Sequence, residues 1–125
     1  MELKTGLTAS SVEQVTENKC AVNVGSGDLM VYATPSMAAL MENAAMKAVS
    51  EALPEGSTTV GSLISTSHMK PTPVGATVTA KAELVQVEGR KLVFKIFAED
   101  QNGPIGEGEH VRFVVDRERF MAKLK

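Results

Sequence analysis

The chain has 125 residues, 43% hydrophobic and 22% charged, which is enough for one domain, residues 1–125, with a real buried core. Its net charge of −2 lacks the basic surface that nucleic-acid binding needs. A single cysteine, Cys20, excludes an internal disulfide, and two histidines 42 residues apart offer no metal-ligand spacing. Apolar runs span only a few residues and no targeting segment is visible, so a cytoplasmic protein without membrane anchor, metal or cofactor is expected. The basic residues Lys70, Lys81, Arg90 and Lys91 read as solvated strand ends or as a local patch.

After an extended lead-in, residues 10–24 place Val12, Val15, Cys20, Val22 and Val24 in partial alternation, which predicts two short strands or a hairpin. Cys20 is expected to be a small buried hydrophobe within it. Residues 25–28, Gly-Ser-Gly-Asp, form a loop. Thr34-Pro35 signals a helix start, with Thr34 as N-cap and proline in the first turn. From Ser36 to Leu53, methionine, alanine, leucine and valine cover most of the circumference, so this helix should be largely buried. Pro54-Glu55-Gly56 stops it.

The remainder reads as β-structure. Strands are expected over Thr58–Met69, Ala76–Val87, Lys91–Glu99 and Ile105–Val115, with a break at 70–75 and turns at 88–90 and 101–104. Residues 116–125 are charged and close the chain with a short helix. One apolar helix against one curved antiparallel sheet is an α+β two-layer arrangement. A helix this apolar needs more cover than one sheet gives, and dimerisation is one remedy.

Three polar residues break the local pattern. Glu42 has Ala38, Ala39, Ala45 and Met46 as its helical neighbours. It either shares a solvent edge with Asn43 and Lys47 or sits in a desolvated pocket, where a carboxylate becomes a better base. Thr34 is a helix cap by position, and a hydroxyl at a helix N-terminus can also touch a ligand where negative charge develops. His68 shares a strand face with Ile64 and Thr66 and, like His110, is by itself an ordinary structural or surface histidine.

Order and spacing say more. The run Ala33-Thr34-Pro35-Ser36-Met37-Ala38-Ala39-Leu40-Met41-Glu42-Asn43-Ala44 is followed by Gly61-Ser62-Leu63-Ile64-Ser65-Thr66-Ser67-His68 and by Thr72-Pro73-Val74-Gly75-Ala76-Thr77-Val78. With Glu83-Leu84, Val87-Glu88-Gly89-Arg90 and Ile105-Gly106-Glu107-Gly108-Glu109-His110-Val111-Arg112, these segments resemble the fluoroacetyl-CoA thioesterase-like family of hot-dog proteins over residues 8–120.

The resemblance implies a hot-dog fold, a long helix wrapped by an antiparallel sheet. It also implies a homodimer, extendable to a tetramer, that binds acyl-CoA at the subunit interface. By position it implies Thr34, Glu42 and His68 as a catalytic triad and Gly61 as a glycine near the thioester. Glu42 would be base or nucleophile, His68 the proton partner and Thr34 an oxyanion donor. Tyr32 is the only aromatic in the short segment before Thr34, where the fluoroacetyl-CoA-specific member carries a longer, phenylalanine-rich one; fluoroacetyl recognition is therefore not implied. Tyr32 and Arg90 are taken as substrate contacts, and Lys70, Arg90 and Lys91 as rim residues for the CoA phosphates. Two other readings are a hydratase or dehydratase acting on acyl thioesters, and a non-catalytic acyl-CoA-binding dimer.

Overall fold

The computed structural model describes residues 2–125. Strand β1 (Thr8–Gln14) leads through a 3-10 turn (Glu17–Lys19) and a single-turn helix α1 (Ala21–Val24) to the long helix α2 (Thr34–Ser50). Strands β2 (Ser57–His68), β3 (Thr77–Glu88), β4 (Lys91–Asp100) and β5 (Gly103–Asp116) follow, and α3 (Arg117–Ala122) ends the chain. The strands form one antiparallel sheet in the order β1-β3-β4-β5-β2.

The four strands after the central helix lie where their alternation places them. The second strand expected before it does not form. Cys20 to Val24 coil into a helical turn that Gly25 closes in the left-handed conformation, φ 92°, with its N–H on the Ala21 carbonyl. Val22 and Val24 are exposed, so their alternation marked no buried face. Cys20 is fully buried, as its type suggests.

Helix α2 begins one residue earlier than a Thr34 cap would have it. Ala33 holds the N-cap position, Thr34 is the first helical residue, and no side chain caps the end. The hydroxyl of Thr34 is thereby free for another partner. The helix stops at Ser50, three residues short of Leu53: Ala52 N–H turns back to the Val49 carbonyl at 3.0 Å in a tighter turn, and Pro54 disfavours helical conformation at Leu53. Its buried stripe is Met37, Leu40, Met41, Ala44, Ala45, Ala48 and Val49, packed on Val78, Leu84, Leu92, Phe94 and Ile96. The other side is not buried in one chain: Ala39, Asn43, Met46 and Lys47 are exposed. Alanine spread around the helix widens the apolar surface in sequence without obliging every alanine to be covered.

One irregularity positions the site. The β2–β5 register slips between Gly61 and Leu63, which leaves Ser62 unpaired as a bulge. Gly61 and His68 are seven residues apart and would face opposite sides of a regular strand. The extra residue brings Thr59 and Gly61 onto the same, helix-facing side as Ile64, Thr66 and His68. Gly106 on β5 has a matching role: a Cβ there would meet the Sδ of Met37 at 2.7 Å, so the glycine lets α2 settle onto the sheet.

Candidate active site

The sequence-derived residues, Arg90 apart, fall into two clusters on the α2–β2 side of the molecule. The first joins the start of α2 to the end of β2. Thr34 Oγ1 and His68 Nδ1 are 2.7 Å apart. The other ring nitrogen, Nε2, is buried and has no hydrogen-bond partner. Burial pushes the His68 imidazolium down from its ordinary 6.5, so the ring is neutral near neutral pH. Tyr32 stands edge-on to the same ring, with centroids 6.5 Å apart.

Tyr32 is itself buried, and its hydroxyl donates to Glu13 Oε2 at 2.6 Å, while Glu13 Oε1 faces Lys19 Nζ at 3.3 Å. Burial and then Glu13 drive the phenol far above its ordinary range. The hydroxyl of Tyr32 is therefore spent inside the fold, and its ring is what it offers the site. A cavity of about 270 Å³ opens here, lined by Tyr32, Thr34, His68, Met69 and Lys70 among others.

The second cluster lies further along the helix. Glu42 lies eight positions after Thr34 on α2, about 12 Å along the axis. The Glu42 carboxylate, two-fifths exposed, lies over Gly61, where an added Cβ would come within 2.8 Å of Oε2. Opposite it, from β5, stand Arg112, with Nη1 3.8 Å from Glu42 Oε2, and His110, with Nε2 at 4.0 Å. Arg112 is buried and anchored: Nε donates to Thr59 Oγ1 at 2.7 Å and Nη2 to the Thr59 carbonyl at 2.9 Å. His110, 1% exposed, meets the Leu63 carbonyl through Nδ1 at 2.7 Å. Burial lowers the His110 imidazolium, helped by the Arg112 charge and opposed by the Leu63 bond and Glu42.

Within one chain the residues expected as a triad thus fall into two separate clusters, Thr34–His68 and Glu42–Gly61. Sequence reasoning missed Arg112 and read His110 only as an ordinary structural or surface histidine. Their signal was present in the alternation Gly106, Gly108, His110, Arg112, which puts two small residues and then two long polar ones on the helix-facing side of β5. The basic residues do not form one patch. Lys70 is at the His68 end, its Nζ on the Asn102 carbonyl at 3.3 Å, while Arg90 and Lys91 are at the opposite end of the sheet beside Phe113. Lys81 pairs with Glu99 at 3.6 Å. Antiparallel pairing sends residues 70 and 90 to different ends.

This geometry has close counterparts. Residues 15–118 match the model of the family described as fluoroacetyl-CoA-specific thioesterase. This chain belongs to that family. It is 42% identical over 95 residues, 76% of its own length and 68% of the relative's, to a fluoroacetyl-CoA thioesterase of Streptantibioticus cattleyicolor. A solved structure of a fluoroacetyl-CoA thioesterase superposes with a TM-score of 0.92 at 33% identity, covering 99% of this chain and 96% of that one. A hot-dog-like protein of Thermanaerovibrio acidaminovorans gives 0.88 at 25% identity, covering 98% and 90%. The chain has the hot-dog fold and is a thioester hydrolase, which decides among the three activities that its sequence left open. No described helix is long and apolar enough to cross a membrane.

Proposed function

We propose that this thioesterase hydrolyses acyl-CoA to a carboxylate and free CoA by bringing both clusters to bear on one thioester, with Glu42 as base or nucleophile. The observation that carries this reading is the Thr34–His68 pair with its unpartnered Nε2. A buried polar nitrogen without a partner costs about 1–3 kcal/mol, so the fold keeps it for a group that arrives later. A neutral imidazole bonded on one side only is equipped to accept or deliver a proton. Thr34, at the positive end of α2, supports an oxyanion there. Glu42 supplies the carboxylate that attacks, directly or through water, and Gly61 leaves the space in which the carboxylate and a thioester can meet.

The assembly is a homodimer in this reading. β2 is an edge strand with exposed Ser62, Leu63, Ser65 and Ser67, and both half-sites border it. A second subunit laid along that edge would bury the strand and complete the cleft. Lys70, on the rim of the Thr34–His68 cavity, is then better placed for CoA phosphates than Arg90 or Lys91. The free, buried Cys20 fits a reducing, cytoplasmic setting.

Thiol release from a panel of acyl-CoAs, measured with the parent and with Glu42→Ala, tests the assignment. The parent releases CoA from at least one acyl group, and Glu42→Ala lowers that rate about 100-fold or more. Release that survives the substitution removes Glu42 from the mechanism.

A further inference from the structure

The hydrogen bonds around His110 fix its protonation pattern. The Leu63 carbonyl can only accept, so Nδ1 carries the proton and donates to it at 2.7 Å. Arg112 Nη1 can only donate, so Nε2 is a bare acceptor that receives it at 3.1 Å. His110 is therefore neutral and has no proton to offer Glu42. Its Nε2 stands 4.0 Å from the carboxylate as a spectator to it, not as an ion-pair partner.

Arg112 is consequently shared. Its Nη1 is 3.1 Å from His110 and 3.8 Å from Glu42, a hydrogen bond to the first and only a through-space attraction to the second. Thr59 holds the other two guanidinium nitrogens. Around the Glu42 carboxylate, β5 contributes these two basic groups, while β2 contributes Gly61 and no charge. Phe94 of β4 lies against the His110 ring, with centroids 6.1 Å apart, and adds none either.

We propose that His110 is a positioning residue: by accepting from Arg112 it holds the guanidinium at ion-pair distance from Glu42 and keeps it from closing into a hydrogen-bonded salt bridge. A carboxylate bonded to arginine is a poorer base and nucleophile, because the bond occupies its lone pairs and stabilises its charged form. The retained gap leaves the Glu42 oxygens free for substrate or water. This inference rests on the reading of Glu42 as base or nucleophile.

Two isosteric fragments of the imidazole separate the effects. In His110→Asn the amide can reproduce the Nδ1 donor to Leu63 but is too short to reach Arg112. In His110→Gln the amide oxygen can reproduce the Nε2 acceptor but not the Leu63 bond. The readouts are kcat and the titration midpoint of the Glu42 carboxyl, followed by carbon-13 NMR and assigned by its disappearance in Glu42→Gln. His110→Asn frees Arg112 to close on Glu42, so the midpoint moves to lower pH and kcat falls about tenfold. His110→Gln keeps both near the parent values.

A merely structural His110 would make both variants similarly less stable and move neither midpoint, which overturns the proposal. A midpoint that rises in His110→Asn overturns it too. Should one variant fail to fold, Arg112→Lys gives the same test from the other side. A point charge held by fewer bonds loses the fixed spacing and shifts the midpoint, whereas an unmoved midpoint contradicts the proposal. Full turnover in Glu42→Gln would instead sink the reading of Glu42, while the midpoint shift in His110→Asn would still stand or fall by itself.

Discussion

The two ends of the α2–β2 cleft are built on opposite terms. At the Glu42 end the polar groups of the partners are paired: Arg112 is tied to Thr59 and His110, and His110 to Leu63. At the Thr34 end a single 2.7 Å contact joins an exposed threonine to a half-buried histidine whose second nitrogen has no partner. The two ends divide the labour. A fully satisfied network fixes a charge in place, while an incomplete one keeps a group ready for something that comes from outside.

Substitutions that damage one end should have unequal effects. Gly61→Ala places a Cβ 2.8 Å from Glu42 Oε2 and 3.2 Å from His110 Cε1. The flexible carboxylate yields before the ring does, so the fold survives and kcat drops about 100-fold, the order expected for an ångström of misplacement. Steady-state kinetics beside a thermal melt checks this, and an unaltered kcat would show that Glu42 needs no such space.

At the open end, Thr34→Val removes the hydroxyl and keeps the shape. It should lower kcat about tenfold, equivalent to about 1.4 kcal/mol for one hydrogen bond to the transition state, with Thr34→Ser retaining most of the rate. Equal losses in both variants would assign Thr34 to packing.

The smallest effect concerns stability. Both histidines have their imidazolium pushed below 6.5, chiefly by burial. The unfolded chain therefore takes up protons as pH falls through 6.5 while the folded chain resists until its own lower value. Stability is full above 6.5 and is lost progressively as pH falls through the folded value. For His110, 1% exposed, the slope is at most about 1.4 kcal/mol per pH unit. His110→Gln should flatten the acid-side loss in denaturant melts more than His68→Gln does. The reverse order would mean that the open end is the more tightly structured one.

Much of this molecule was legible before its coordinates. The strands within residues 57–116 mostly alternate, and turn residues punctuate them where the chain reverses. The segment at 20–24 was misread because three apolar residues at period two are too few to outweigh a glycine that can close a helical turn. Thr34 looked like a cap because its neighbours were those of a cap, yet Ala33 occupies that position. The bulge at Ser62 was invisible, since a one-residue slip depends on the partner strand. The part played by His110 and Arg112 was hidden for the same kind of reason: it follows from Thr59, Leu63 and Glu42, which only the folded sheet places around them. Order along the chain singled out Thr34, Glu42 and His68 as candidates, but could not say that one chain holds them as two separate clusters.

The central claim is that Glu42 acts on the thioester while the Thr34–His68 pair receives it. Its most direct test is kcat and KM for the best acyl-CoA in Glu42→Gln, a substitution that keeps the shape and removes the charge. The account predicts kcat lowered about 100-fold or more with KM little changed and an unaltered melt. A Glu42→Gln enzyme that turns over at the parent rate would contradict it.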